Sequence, residues 1–397
     1  MKRLMKKSNN LNVIYAGEEM PKQITKSIFL AGPTPRSNDI QSWRSEALEL
    51  LKSNNYDGTV FIPEPRNGQT YPEYTEQIEW EQKMLDACDC IMFWLPREKN
   101  ENFEMIGLTT NIEWGKYQGS AKVVVGFPDD AESVRYIQYE CDKLGIKVNN
   151  TLEDTIKDAI NFVGNGALRQ DGECYVPLII WNTDMFTKWY SEQKRVGNVL
   201  ESAKVNYVFK MPKAKKVFLW ILHVKIFIKD ENRYKENEFV ISRTDISSVV
   251  IYRKDSNDIL NSDVVLVEEF RSPSRNERCK VLEVPGGSSI TDNVDPLETI
   301  VDEIKEETGL CFDENRIVFE QDRQLMATLS SHKCYLYSVE ITDEELTEIK
   351  KLEGTVNGIE EDSERTYLRI FKLQDILKNN LLDWSNIGYL LQVIYSK

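Results

Sequence analysis

The stretch V-P-G-G-S-S-I-T-D-N-V-D-P-L-E-T-I-V-D-E-I-K-E-E-T-G-L, residues 284–310, joins a glycine-containing loop to a short acidic helix. Asp295 is a good N-cap residue, and Gly309 is placed to end the helix. Like charges at helical spacing repel each other, so a divalent cation such as Mg²⁺ (or Mn²⁺) would favour carboxylates on one face as oxygen ligands. The alternative is a solvated acidic face without a metal. The glutamates that share one face of this helix are Glu303, Glu306 and Glu307.

The segment E-I-K-E-E-T-G-L, residues 303–310, resembles the end of the Nudix box. The front departs from that pattern, because Asp302 stands where the family has arginine and Val294 where it has its first glutamate. The resemblance implies an α/β/α sandwich that hydrolyses a nucleoside diphosphate linked to another group. It also implies a catalytic role for Glu306, and a Mg²⁺ or Mn²⁺ site formed by Glu303, Glu306 and Glu307.

Length and composition limit the rest of the chain. Its 397 residues exceed one ordinary domain, and a net charge of −15 argues against binding to nucleic acid or an anionic membrane surface. Seven cysteines without paired metal spacing indicate reduced thiols, and two histidines make zinc chemistry or a histidine-based triad a poor explanation. We therefore expect a cytoplasmic protein in which carboxylates carry any acid–base chemistry. The resemblance implies a small nucleoside or nucleotide as the substrate, and a homo-oligomer is expected as well.

Four continuous apolar runs alternate with helical patterns between residues 27 and 163. Such runs are typical of strands buried on both faces, which favours a doubly wound parallel sheet, a Rossmann-like α/β fold. Ligands of such sheets lie at the carboxyl ends of the strands, where Gly32 and Pro33 follow the first run. The predicted strands are residues 27–33, 59–63, 90–95 and 122–127, and the predicted helices are residues 40–52, 73–87, 109–119, 129–144 and 152–163.

Three segments of this region resemble the nucleoside 2-deoxyribosyltransferases and related nucleotide N-glycosidases: F-L-A-G-P at 29–33, D-A-C-D-C-I at 86–91 and G-L-T-T-N-I-E-W-G at 107–115. The resemblance implies that Glu113 is the nucleophile and Glu81 the base-facing acid. Two family positions are changed, because Phe29 replaces a tyrosine and Gly107 an aspartate. The remaining substrate-binding residues expected here are Gly32, Pro33, Asp89, Thr110 and Asn111.

Cleavage of a glycosidic bond needs little more than two acids, one to attack or shield the anomeric carbon and one to protonate the leaving base. Glu113 and Glu81 are suited to these two roles. Without the motif, Glu113 would be interpreted as an exposed helix residue.

The domains expected are a loose tail over residues 1–24, a deoxyribosyltransferase-like domain over 25–170, and a Nudix domain with an N-terminal extension over 171–397. Aromatic residues between 176 and 210 could form a ligand wall or belong to a helix packed on the next domain. The run V-V-L-V-E-E-F-R-S-P, residues 264–273, resembles the strand ahead of the box in sugar-nucleotide and ADP-ribose pyrophosphatases, which implies that Arg271 binds substrate. The downstream proline typical of ADP-ribose pyrophosphatases is missing, so ADP-ribose is only suggested.

An acidic loop, residues 358–365, offers Glu360, Glu361 or Glu364 as a late general base, although a solvated surface loop explains each of them as well. Together the two resemblances predict a bifunctional enzyme, in which one module cuts base from sugar and the other cuts a diphosphate. Two alternatives stay open. The chain could be a nucleotide sensor that binds without turnover, or a transferase whose Nudix domain is an inert scaffold.

Overall fold

The structure is a computed structural model that describes residues 11–35, 41–66, 73–100, 103–105, 107–211, 216–288, 294–358 and 364–395. The chain divides between Ile241 and Ser242 into two compact units. Among the described residues, no helix combines the length and the apolar character needed to cross a membrane.

The first unit contains thirteen strands and seven helices among its described residues, the last strand running two residues past the division. The strands are β1 (Asn12–Tyr15), β2 (Gln23–Ile24), β3 (Ser27–Ala31), β4 (Thr59–Ile62), β5 (Cys90–Trp94), β6 (Glu98–Asn100), β7 (Phe103–Met105), β8 (Val123–Gly126), β9 (Val148–Asn149), β10 (Arg169–Gln170), β11 (Val199–Lys210), β12 (Val217–Ile228) and β13 (Arg233–Arg243). The helices are α1 (Trp43–Ser53), α2 (Tyr74–Ala87), α3 (Leu108–Tyr117), α4 (Arg135–Leu144), α5 (Leu152–Val163), α6 (Leu178–Trp181) and α7 (Asp184–Arg195).

Six strands form a parallel sheet in the order β1–β4–β3–β5–β8–β9. Successive residues of β3 point to opposite faces, so Ile28 and Leu30 enter one core and Phe29 enters the other. Helices α1 and α5 cover the first face, and α2, α3 and α4 cover the second. The predicted Rossmann-like, doubly wound parallel sheet agrees with this arrangement.

The prediction of a loose tail over residues 1–24 is wrong for part of its described portion. Strand β1 pairs in parallel with β4, and Val13 and Tyr15 pack against the core beneath the sheet. Strand β2, at residues 23–24, pairs with β10, at residues 169–170. Both strands are held by residues far away in the sequence, which a local pattern of two to four residues does not reveal.

A separate three-stranded sheet, β11–β12–β13, follows the parallel sheet in the same unit. The aromatic side chains of Phe186 and Tyr190 on α7 pack with Trp220 of β12 in a closed core. These aromatics therefore belong to a helix that packs on a sheet of the same unit, whereas the helix alternative packed it on the next domain.

The predicted boundary at residues 170/171 differs from the division of the structure, which lies about seventy residues further on. The segment after residue 170 is tied to the parallel sheet, because the Leu178 N–H donates to the buried Asp89 carboxylate. A boundary at 170/171 would separate that carboxylate from one of its hydrogen-bond donors.

The second unit is a mixed sheet with helices against both faces. Its strands are β14 (Ile246–Arg253), β15 (Asp263–Phe270), β16 (Lys280–Glu283), β17 (Gly286–Gly287), β18 (Val318–Gln324), β19 (Lys333–Glu340), β20 (Val356–Asn357) and β21 (Thr366–Lys372), and its helices are α8 (Pro296–Thr308), α9 (Asp343–Lys350), α10 (Leu373–Lys378) and α11 (Trp384–Tyr395). The sheet order is β18–β19–β14–β15–β21–β20, with β16 beside β15 and β17 beside β14.

Helices α8 and α9 pack on one face of this sheet, and α10 and α11 pack on the other. Helix α8 has the predicted ends, because the Asp295 side chain accepts from the Leu297 N–H and Gly309 adopts φ 72°. Assignment to the Nudix fold stays a prediction, since an arrangement of layers does not identify a family.

Candidate functional site

A cavity of about 390 Å³ opens at the carboxyl edge of the parallel sheet. Its lining includes the loop after β3 (residues 32–35), Pro63 after β4, two side chains of α2 and the first half of α3. The chain leaves β3 for β4 on one side, while β5 lies on the other, so the loop stands where the winding changes direction. Sheets of this kind bind ligands at that point.

Two carboxyl side chains, Glu81 of α2 and Glu113 of α3, line this cavity. Glu81 is buried and accepts a hydrogen bond from the Gln77 amide at 2.8 Å. Glu113 is half-buried, so it is not the exposed helix residue of the alternative interpretation. The structure thus brings the two predicted acids to one cavity, and their catalytic roles stay a prediction.

Burial and mutual repulsion alter both acids. Burial raises the pKa of Glu113 to about 8, the charge of Glu81 adds to the rise, and Arg44 opposes it. Burial also raises the pKa of Glu81, against the Gln77 hydrogen bond and the Arg44 charge. Because the two groups interact, the first proton lost belongs to the pair. A pair with one proton offers a carboxylate and an acid in the same cavity.

Two glycines allow the close packing of the cavity wall. A Cβ on Gly32 would lie 2.1 Å from the Trp94 carbonyl oxygen. Gly107 precedes α3 with φ 65°, and a Cβ there would lie 2.9 Å from Cβ of Pro33. Both positions therefore favour a residue without a side chain.

Of the predicted substrate-binding residues in this unit, Gly32, Pro33 and Thr110 line the cavity, whereas Asp89 and Asn111 do not. Asp89 is fully buried and forms an ion pair with Arg169. The exposed Asn111 accepts a hydrogen bond from Arg97 at 2.6 Å. Neither side chain therefore lines the cavity, and the substrate-binding roles of Asp89 and Asn111 stay predictions.

Arg44, a buried arginine that lines the cavity, is not among the residues predicted from the sequence. A signal was present, because Arg44 stands three residues before Ala47 and seven before Leu51. That spacing puts an arginine on the apolar face of a helix, where an unpaired charge is costly.

In the second unit, the glutamates of α8 lie against the glycine loop. The Glu307 carboxylate is buried and accepts from the Gly286 N–H at 2.8 Å. A Cβ on Gly287 would lie 1.9 Å from Oε1 of Glu303, so the end of the Glu303 side chain would have to move if this position were not glycine. Glu306 is exposed on the same helix.

Acidic side chains crowd together at this loop, and they raise the pKa values of one another. Burial raises the pKa of Glu303 to about 7, with additions from Glu364 and Glu306, while Arg271 opposes the rise. Burial, followed by the charge of Glu303, raises the pKa of Glu307 well above its ordinary range. The predicted late base at Glu360 or Glu361 lies outside the described residues.

Arg271 is occupied by neighbouring carboxylates in this structure. Its guanidinium contacts Glu283 at 2.5 Å and Glu269 at 2.9 Å. Among the described residues, no three histidine, cysteine, aspartate or glutamate side chains are grouped so as to hold a metal ion. The metal site and the substrate-binding role of Arg271 therefore stay predictions.

Part of the chain matches a known protein family. Residues 25–131, 107 of the 397 residues, match the family model described as "Nucleoside 2-deoxyribosyltransferase like". The cavity and both of its acids lie within the matched segment, and the second unit lies outside it. No curated protein matches the chain.

Proposed function

We propose that the first unit cleaves the N-glycosidic bond of a nucleoside or nucleotide. The observation that carries this proposal is the pair Glu81 and Glu113 in one cavity at the carboxyl edge of the sheet. The nucleoside deoxyribosyltransferase-like character of residues 25–131 supports the same substrate class.

In the proposed reaction, the Glu113 carboxylate attacks the anomeric carbon and forms a glycosyl ester. The bond from carbon to base nitrogen breaks, and its electron pair leaves with the base. Protonated Glu81 gives its proton to that base. Burial raises the pKa of both acids, that of Glu113 to about 8, so the pair retains a proton near neutral pH. The scheme places that proton on Glu81 when the base leaves.

The ester is then resolved in one of two ways. Attack by water releases the free sugar, and Glu81, now a carboxylate, takes the proton of that water. Attack by a second base transfers the sugar instead. We favour hydrolysis, because Phe29 and Gly107 replace the tyrosine and aspartate of the transferases.

The test measures base release from a panel of nucleosides and 5′-nucleotides, with and without an acceptor base. Glu113→Gln should lose base release by several orders of magnitude, because an amide does not form the ester. The matched control is Glu79→Gln, which changes an exposed acid on α2. Absence of base release from every substrate with the wild type would refute the proposal, and binding without turnover would favour a nucleotide sensor.

We propose a second activity for the other unit, Mg²⁺-dependent (or Mn²⁺-dependent) hydrolysis of a nucleoside diphosphate linked to another group. The specific support is that Glu303 and Glu307 converge on Gly286–Gly287. Carboxylate oxygens are the ligands that Mg²⁺ prefers. In the part of the chain that the structure describes, no three histidine, cysteine, aspartate or glutamate side chains are grouped to hold a metal ion. A bound ion would activate water and neutralise the diphosphate.

This second proposal has its own test, separate from the first. Products of ADP-ribose and of several nucleotide sugars are measured with Mg²⁺, with Mn²⁺ and with a chelator. Glu306→Gln should abolish hydrolysis and leave base release by the first unit unchanged. Hydrolysis at the wild-type rate in this variant at saturating Mg²⁺ would exclude the role of Glu306.

A further inference from the structure

Arg44 is the second residue of α1, and its side chain is 2% exposed beside the cavity. Its Nε donates to the Leu30 carbonyl at 3.0 Å, and one terminal nitrogen donates to the Gly32 carbonyl at 2.8 Å. The other terminal nitrogen donates to Thr34 Oγ1 at 3.0 Å and to Glu64 Oε1 at 2.6 Å. Every guanidinium nitrogen is therefore engaged.

These partners lie on two neighbouring strand ends. Leu30 belongs to β3, with Gly32 and Thr34 in the loop that follows, while Glu64 follows β4. Because the guanidinium is planar and its donors point in fixed directions, one side chain fixes the geometry of both strand ends. The loop it holds forms one wall of the cavity.

Arg44 is also the counter-charge of the cavity. Among the described residues that line it, Arg44 alone carries a positive charge, facing Glu81 and Glu113. Its charge lowers the pKa of both acids, in opposition to burial. Other polar groups near the pair include Gln77, which donates to Glu81, and Thr34, Thr109 and Thr110, which line the same cavity.

We propose that Arg44 is a positioning residue of this site, which holds the loop of residues 32–34 in place and supplies the positive charge that allows one cavity carboxyl to be a carboxylate. The inference rests on the proposed glycosidic cleavage and deepens it. Arg44 does not touch the reacting atoms in this scheme, because its nitrogens are committed to the loop and to Glu64.

The experiment is the pH profile of base release by the full chain with Arg44→Met, Arg44→Lys and Glu64→Gln. Arg44→Met should lower kcat by about 100-fold, with little change in KM. It should also move the rising limb of the pH profile to higher pH by about one pH unit. Arg44→Lys keeps the charge, so its limb should stay near that of the wild type. Glu64→Gln removes the carboxylate that neutralises Arg44, so its limb should move downward.

The opposite shifts separate this role from a merely structural one, because damage to the fold moves both variants in the same direction. An unchanged limb in Arg44→Met, or an upward shift in Glu64→Gln, would overturn the inference. If Arg44→Met does not fold, the Arg44→Lys and Glu64→Gln profiles decide. The matched control is Arg66→Met, which removes an exposed arginine paired with Glu18 and should leave the profile unchanged.

If the wild type releases no base, the proposed function fails, but the role of Arg44 can still be tested. The titration of ¹³C-labelled glutamate carboxyls by NMR then follows Glu113 without turnover. Its midpoint should move down in Glu64→Gln and stay in place in Arg66→Met. A midpoint that is unchanged in Glu64→Gln would refute the electrostatic role.

Discussion

Both oxygens of the Asp89 carboxylate accept hydrogen bonds from Arg169, at 2.7 and 2.6 Å, although eighty residues separate the two. Ser27 and the Leu178 N–H also donate to this carboxylate, and neither charged side chain is exposed. Asp89→Ala should therefore destabilise the protein by about 3–5 kcal/mol, because it leaves a buried cation without its partner. Urea unfolding followed by circular dichroism measures this loss.

The matched control for that prediction is Glu49→Ala, which removes an exposed ion pair with Lys52 on α1. Its effect should be below about 1 kcal/mol. Replacing both partners, as Asp89→Leu with Arg169→Met, should destabilise less than Asp89→Ala alone, since no buried charge is left over. Equal losses for Asp89→Ala and Glu49→Ala would contradict the interpretation.

Glu113 should make stability depend on pH. Its pKa is about 8 in the folded protein against an ordinary value of 4.5, so the folded state binds the proton more tightly. The resulting stabilisation is fully present below pH 4.5 and is lost as the pH rises through 8. This pH-dependent loss of stability is absent in Glu113→Gln. The Tm of the variant relative to that of the wild type should therefore rise by a few degrees between about pH 5 and pH 8.5. A parallel course of the two Tm curves, measured by calorimetry, would argue against a raised pKa of Glu113.

A covalent intermediate on Glu113 should be trapped by a 2-fluoro sugar analogue, because fluorine destabilises the oxocarbenium-like transition state and slows breakdown of the ester. Mass spectrometry of the intact protein should show one added glycosyl group, and peptide mapping should place it on Glu113. Glu113→Gln should show no adduct, whereas Glu79→Gln should label like the wild type. An adduct on any other residue would remove Glu113 from the nucleophile role.

Mg²⁺ should raise the Tm of the second unit, because a ligand that binds the folded state stabilises it. Glu303→Gln should reduce that rise, since an amide is a poorer ligand than a carboxylate. The control is Glu298→Gln, which changes an exposed acid in the first turn of α8. Equal Mg²⁺ responses in wild type and Glu303→Gln would exclude Glu303 as a ligand.

Much of the first unit could be predicted from the sequence, because strands buried on both faces are continuous apolar runs. Helix α5 begins and ends where the pattern placed it, and β3 is shorter by two residues. Strand β1 was missed, since its four residues are defined by pairing with β4 and not by a local pattern.

The candidate site was predicted in part for a related reason. The motif spacing identified Glu81 and Glu113 from the sequence. Both stand on helices beside the sheet edge, and the fold places them in one cavity. The same motif suggested a substrate role for Asp89. The structure pairs Asp89 with Arg169, which is distant in sequence and belongs to no motif. An ion pair of this kind is seen in the folded chain and has no local sequence pattern.

The pairing of β2 with β10 places residues 23–24 and 169–170 side by side, so the chain between them leaves and returns at one place. Cutting the chain at these two points would nevertheless not free a complete module. Strand β1 lies before the first point and pairs with β4, and Leu178 lies after the second and donates to Asp89. A graft that keeps the parallel sheet intact therefore has to extend beyond the β2–β10 ladder on both sides, from β1 to Leu178.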